Sequence, residues 1–426
     1  MLPPGALSQR ARRASGQPIS ELMHRALANP ELISLAAGFV DQATLPVDAT
    51  RAALDAVLGD RDLAHAALQY GTTPGYLPLR EVVLARQLAA DGTRAAESRL
   101  SVDQVVLTAG SNQLLHLLGD TLLDPGDIVL CGAPMYFVFL GMLNNLGARA
   151  VGVETDGDGV IPEALNERLA RCRSAGELPR VKALYVTSYY DNPATTTLPA
   201  ARRAQIVEIA RRWSRFGAIY VIEDAAYRDL RYVGDDIPSL RAFDPDGQTV
   251  IVTQTYSKSY SPGIRVGYGI LPRSLVATVC DQKGNIDFGS PNFNQHLMHK
   301  VIEGGHFDQH VTQLRDQYRT KLGVMNEALE HSLATIDGVR WSRPRGGLYV
   351  WLRLPDSIDT GPNGPLFDRA VEQGTLYVPG EYCYPASVQP RPTNAIRLSF
   401  GVQSPERIRR GVEALAAAIE HVRKGT

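Results

Sequence analysis

Cysteine is scarce in this chain, with four in 426 residues: Cys131, Cys172, Cys280 and Cys383. No two form a CxxC pair, so neither a metal knuckle nor a dithiol redox centre is written in the spacing. A disulfide framework is not expected in a chain this long, and all four read as small hydrophobes or bystanders. No metal site is predicted. Long apolar runs are missing as well. Nothing approaches the roughly 20 consecutive apolar residues of a membrane helix. The opening MLPPGALSQRARRASGQPIS has basic residues but no apolar stretch behind them, so no secretory signal is expected. Charge of one sign is absent too: 44 Lys plus Arg against 45 Asp plus Glu leave a net charge of -1. That balance gives no electrostatic reason to expect nucleic acid or an anionic membrane surface. The expectation is a cytoplasmic protein.

What is present is an ordinary globular composition, 44% hydrophobic and 21% charged. The length fits a large α/β domain with a smaller companion. Residues 1 to about 35 read as an arm leading into Leu32-Ile33-Ser34-Leu35. Between about 100 and 300, short β-branched runs alternate with helical patterns, which predicts βαβ units and a mostly parallel sheet. The predicted strands are Gln104–Thr108, Ile128–Cys131, Ala183–Ser188, Ala218–Glu223 and Thr249–Gln254. A helix opens at Leu198-Pro199, carries Ile206, Ile209, Ala210 and Trp213 at helical spacing, and stops near Gly217. Beyond about 300 the helices lengthen, with strand-like runs at Gly347–Leu354 and Ala395–Phe400 and a loop over Pro355–Pro365. The division reads as 1–60 for an arm and part of a small domain, 61–300 for the large domain, and 301–426 for a C-terminal α+β domain.

Chemistry-capable residues stand just past the five strands. Gly110-Ser111-Asn112 follows the first, Tyr136 the second, Asn192 the third, Asp224 the fourth and Lys258 the fifth. In open α/β sheets, ligands bind beyond the carboxyl ends of the strands, so five ends offer polar groups to one crevice. The densest segment is Thr255-Tyr256-Ser257-Lys258-Ser259-Tyr260-Ser261-Pro262-Gly263-Ile264-Arg265-Val266-Gly267-Tyr268. A lysine held there, partly out of water, loses basicity and gains the neutral amine that Schiff-base chemistry needs. A glycine turn running into a helix, as at Thr108–Gln113, presents free backbone N–H groups to an anion. An arginine amid the apolar strand Ile396-Arg397-Leu398-Ser399-Phe400 is costly unless paired, and its fork suits a carboxylate.

The 255–268 segment resembles the SxSKxxxPGxRxGY signature of fold type I, class I/II aminotransferases that use pyridoxal phosphate (PLP). The resemblance runs from Ser34-Leu35-Ala36-Ala37-Gly38 to Asn394–Phe400 and is similar to the branch with 2-aminoadipate and kynurenine aminotransferases. It implies a PLP-binding large domain and transfer of an amino group from an L-amino acid to a 2-oxo acid, usually 2-oxoglutarate. By this resemblance Lys258 holds the cofactor as a Schiff base and shuttles the proton. Thr255 and Arg265, with Ser111 and Asn112, contact the phosphate. Asp224, in a D-x-A-Y match, pairs with the pyridine nitrogen, while Tyr227 and Asn192 reach the phenolate oxygen. Tyr136 stacks on the ring. Tyr70, in Gln69-Tyr70 before Gly71 and Gly75, reaches the phosphate of a neighbouring subunit, which implies a homodimer with shared sites.

The resemblance also assigns Arg397 to the substrate α-carboxylate, and Gly38, Asn192 and Tyr349 to the substrate pocket, with Tyr382 or Tyr384 near it. One departure stands out: Asp191-Asn192-Pro193-Ala194-Thr195 occupies the place of N-P-T-G. Two other readings therefore stay open. One is another PLP reaction on the same scaffold, such as β-elimination, decarboxylation or oxidation. The other is a non-enzymatic effector domain of a transcription regulator, against which the roughly 35 residues before the first motif and the neutral charge both count.

Overall fold

The computed structural model describes residues 6–14, 16–93 and 99–425. Its centre is a seven-stranded sheet. In chain order the strands are β1 (Val105–Thr108), β2 (Ile128–Gly132), β3 (Arg149–Val153), β4 (Val181–Thr187), β5 (Tyr220–Asp224), β6 (Val250–Thr255) and β7 (Gly267–Ile270). Their spatial order is β1-β7-β6-β5-β4-β2-β3. Every pairing is parallel except those of β7, which runs antiparallel to both β1 and β6. β1, β2 and β6 are buried along their whole length, because helices cover both faces. Near-continuous Val/Ile/Leu runs are what such a sandwiched strand requires.

The five predicted strands are all present, within about two residues of their predicted ends. β3 and β7 were not foreseen. β3 begins with an exposed Arg149. β7 reads Gly-Tyr-Gly-Ile, and glycine in a sequence signals a turn before it signals a strand. Here glycine is needed for clearance: a Cβ on Gly267 would lie 2.8 Å from the Gly110 backbone. The helix predicted from Leu198-Pro199 spans Ala200–Trp213 with Pro199 as its N-cap, and ends through a turn at Gly217, φ 146°.

The predicted arm contains two helices, Gln9–Arg13 and Pro18–Ala28. Pro18 sits at the first helical turn, where its missing N–H costs nothing. Ile33–Ser34 then pairs in parallel with Thr375–Leu376, so the N-terminal segment docks on the C-terminal layer. That layer is a four-stranded antiparallel sheet made of β8 (Arg340–Trp341), β9 (Tyr349–Arg353), β10 (Val378–Pro379) and β11 (Ala395–Ser399), in the order β8-β9-β11-β10. The 28-residue helix His306–Leu333 and the helix Pro405–Lys424 pack against one another beside it. Pro355–Gly364 is irregular chain, as predicted, and a helix opens at Pro365. Three cysteines are buried, Cys280 is half-buried, and all four are free. Among the described residues no helix is long and apolar enough to cross a membrane, and no group of three or more His, Cys, Asp or Glu side chains converges.

Candidate active site

The carboxyl ends of β1, β2, β4, β5 and β6 open on one cavity of about 200 Å³. Ser111, Asn112, Tyr136, Asn192, Asp224, Tyr227, Thr255, Lys258 and Arg265 all line it, so nine of the sequence-predicted residues meet in one place.

One end of the cavity is built for an anion. Gly110 has φ 84° and ψ 165°, a conformation essentially confined to glycine, and it turns the chain into the helix Ser111–Leu122. Ser111 and Asn112 are the first residues of that helix, whose free N–H groups and dipole favour negative charge. Arg265, itself left-handed at φ 49°, lays its guanidinium against this turn and donates to the Ala109 carbonyl at 3.0 Å. The Ser257 hydroxyl accepts from Arg265 at 3.4 Å and from Thr255 at 2.9 Å. Behind the turn, the Gln113 amide accepts from Ala109 N–H at 2.8 Å and donates to Asp287 at 2.6 Å.

At the sheet end lies a buried acid. Asp224 accepts from the Tyr185 hydroxyl at 2.8 Å and from the Ala226 N–H at 3.1 Å. Burial raises its pKa, opposed by these two hydrogen bonds, and no cation among the described residues pairs with it. An N-cap role does not account for it, since the turn that follows is not a helix and its second oxygen points to Tyr185.

Lys258 lies between these ends. Its ammonium donates to the Gly38 carbonyl at 2.8 Å. Burial lowers its pKa, and the Arg397 and Arg265 cations push in the same direction. The Tyr227 hydroxyl is 3.1 Å from that of Tyr349. Gly38 thus meets the site through its carbonyl, and a Cβ there would overlap the Tyr349 hydroxyl.

Arg397 is 2% exposed on β11. It donates to Asn192 Oδ1 and to the Ala36 carbonyl, both at 2.8 Å, and stacks over the Tyr349 ring at 4.3 Å. Its Nε has no partner. Three other buried arginines meet a carboxylate, Arg203 with Glu223 at 3.6 Å, Arg228 with Asp91 at 3.0 Å and Arg241 with Asp244 at 2.9 Å, whereas buried Arg80 donates to the Val105 and Val102 carbonyls. Among the described residues no protein carboxylate pairs with Arg397, so its charge is compensated only by dipoles and π-faces.

Tyr70 is not in this chain's cavity. It is 84% exposed, beside Phe288, which is 73% exposed. Tyr384 is buried on a separate small cluster with Trp351. Sequence reasoning did not single out Phe39, Tyr185, Thr187, Ala226 or Ser257, which also line the cavity. Tyr185 and Thr187 share one face of β4, but that strand is largely buried, so alternation in the sequence does not mark them.

A helix terminus with hydroxyls and an arginine suits a phosphate dianion. An acid with no cation partner among the described residues suits a protonated pyridine nitrogen, and a lysine of lowered basicity suits an aldehyde. The residues therefore fit PLP, and fold and site together define a PLP-dependent enzyme of fold type I. The chain belongs to the aminotransferase class I and II family, whose sequence model matches residues 30–415. It is 31% identical over 417 residues to aromatic-amino-acid aminotransferase 1 of Thermococcus litoralis, covering 98% of this chain and 94% of the relative. It is 31% identical over 419 residues to 2-aminoadipate transaminase of Thermus thermophilus, covering 97% and 96%. The crystal structure of Pyrococcus horikoshii kynurenine aminotransferase superposes with a TM-score of 0.88 at 31% identity, over 98% of this chain and 97% of that one. The protein is a PLP-dependent aminotransferase acting on amino acids and 2-oxo acids.

Proposed function

We propose that this enzyme moves the amino group of an L-amino acid to 2-oxoglutarate, that it does so with the cofactor held covalently on Lys258, and that it works in the cytoplasm as a homodimer. The observation that carries the reading is Arg397, a buried guanidinium with no carboxylate partner among the described residues, near a buried lysine of lowered basicity. A buried cation in that state is stabilised by a carboxylate brought from outside.

PLP, when bound, supplies an aldehyde for the amine and a ring that takes up the electron pair left at the substrate Cα. The chain supplies the rest. Ser111, Asn112, Thr255 and Arg265 hold the phosphate end. Asp224 keeps the ring nitrogen charged, and Tyr185 fixes its orientation. Tyr227 and Asn192 address the ring's phenolate oxygen, while Tyr136 forms a wall that excludes water. Arg397 seats the α-carboxylate with Asn192 beside it, and Gly38 and Tyr349 complete the pocket. With the substrate's amino group in place, Lys258 would be free to take the Cα proton and to return it beyond the nitrogen, at the carbon that PLP's aldehyde supplies. The same steps reversed load the acceptor. Tyr70 is exposed on its own chain beside Phe288, and this supports a second subunit that receives it.

The test is a half-reaction on PLP-loaded protein with a panel of L-amino acids. One equivalent of 2-oxo acid and of bound pyridoxamine phosphate is expected, with 2-oxoglutarate restoring the visible band. Release of ammonia or carbon dioxide instead would establish elimination or decarboxylation.

A further inference from the structure

The phosphate end of the site is braced from outside the cavity. Gly110 offers no side chain by which the turn can be held, so the turn depends on the residue before it. Ala109 is held through both of its backbone groups. Arg265 donates to the Ala109 carbonyl at 3.0 Å, and the Ala109 N–H donates to Gln113 Oε1 at 2.8 Å. Gln113 Nε2 in turn donates to Asp287 Oδ2 at 2.6 Å. The other oxygen of Asp287 accepts from Lys283 Nζ at 3.1 Å, and Lys283 is 0% exposed. The Ser290 hydroxyl closes the cluster, 3.0 Å from Gln113 Oε1 and 3.2 Å from Asp287 Oδ2. None of Gln113, Lys283, Asp287 and Ser290 lines the cavity.

The order of donors leaves Gln113 one orientation. A backbone N–H can only donate, and a carboxylate held by an ammonium can only accept, so the amide oxygen faces the turn and the amide nitrogen faces Asp287. Asp287 thereby sets which way Gln113 points, and Gln113 sets Ala109. The far end is anchored as well. Asp287 is the last residue of the helix Arg273–Asp287. The segment after it is tied down by Thr73, whose hydroxyl donates to the Phe288 carbonyl at 2.9 Å. Gln295 donates to the Ser290 carbonyl at 2.9 Å and accepts from the Tyr76 N–H at 2.8 Å. The charges of Lys283 and Asp287 balance, so the pair acts on the turn by orientation and not by net attraction for an anion.

We propose that Lys283, Asp287 and Gln113 form one positioning unit for the phosphate turn. The ion pair orients the amide, the amide holds Ala109, and the helix N–H groups beyond Gly110 meet the phosphate already aligned. Donors aligned beforehand need no ordering when the anion arrives, and that is where affinity is gained. The inference rests on the proposed reading of this turn as the phosphate end, and it names residues outside the cavity that set phosphate affinity.

The experiment measures Kd for PLP and for pyridoxal, which lacks the phosphate, by fluorescence titration of the cofactor-stripped full chain. Gln113→Met removes the link and leaves the ion pair intact. Lys283→Met/Asp287→Leu removes the pair together and changes no net charge. Each should weaken PLP about 10-fold, the worth of a hydrogen bond to a charged group, while pyridoxal changes by less than about twofold. Both act through one contact, so combining them should add almost nothing to the effect of Gln113→Met alone. A general loss of packing would weaken both ligands alike, and such parallel losses overturn the proposal. So do an unchanged PLP affinity in Gln113→Met and losses that multiply in the combined variant. Should the paired variant not fold, Gln113→Met decides by the same ratio. A wild type that binds pyridoxal as tightly as PLP refutes instead the reading of the turn on which this inference stands.

Discussion

Replacing Arg397 with lysine keeps a cation in the strand but removes the fork. A guanidinium has five N–H donors. The structure commits two, to Asn192 and Ala36, and leaves Nε without a partner. The remaining donors are enough for a bidentate carboxylate. A lysine ammonium has three donors in total and cannot serve Asn192, Ala36 and both oxygens of a carboxylate together. Breaking a buried, hydrogen-bonded charge pair outright costs about 2–5 kcal/mol, which is roughly 30-fold to 5,000-fold in an equilibrium constant. Lysine retains the charge, so R397K should fall near the lower end, with kcat/KM for amino acids reduced about 30-fold. The assay compares an amino acid with the amine that lacks its carboxylate in single-turnover conversion of bound cofactor. The amino acid should lose the full factor and the amine almost nothing. Equal losses for both, or none for the amino acid, would refute the assignment of Arg397 to the substrate carboxylate.

Gly110→Ala forces a side chain into a conformation that costs about 1–3 kcal/mol, at a point where the Arg265 guanidinium would lie 2.8 Å from the new Cβ. Cofactor affinity, measured by fluorescence titration, should drop roughly 5-fold to 100-fold, and an unchanged Kd would contradict the phosphate end described here. Asp224→Asn keeps an acceptor for Tyr185 but removes the charge, so single-turnover rates should fall about 100-fold or more; a rate within a fewfold of wild type would show that the ring nitrogen is not addressed by this carboxylate. Asp191, which stands in the departure from the family's motif, has its pKa pushed up to about 7 by burial. Between the unfolded value near ~4 and 7 the folded state then holds a proton that the unfolded state has lost, so stability falls as pH rises through that window. Melting temperatures from pH 5 to 8 should show this slope in the wild type and a flatter profile in Asp191→Asn; parallel profiles would place the titration elsewhere.

The sheet was legible wherever burial on both faces demanded an unbroken apolar run, as in Val250-Ile251-Val252 or Val105-Val106-Leu107. It was not legible in β7, where tertiary contact imposes glycines that local sequence reads as a turn, nor in β3, which opens on an exposed arginine and carries a glycine of its own. The helices in the N-terminal segment were hidden because their length is short and their ordering comes from docking, Leu22 being buried while its neighbours are not. Within the site, charged and motif-borne residues were found because chemistry restricts what can stand there. Tyr185 escaped because a tyrosine in a buried strand looks like core until its hydroxyl is seen on Asp224. Arg397 illustrates the converse. Its sequence context announced a buried cation, but only the structure shows that no internal carboxylate among the described residues compensates it.

The most direct measurement is borohydride reduction of the PLP-loaded protein followed by peptide mass mapping. The account predicts a single pyridoxyl adduct on Lys258, in the peptide that follows β6. An adduct on any other lysine, or none, would contradict it.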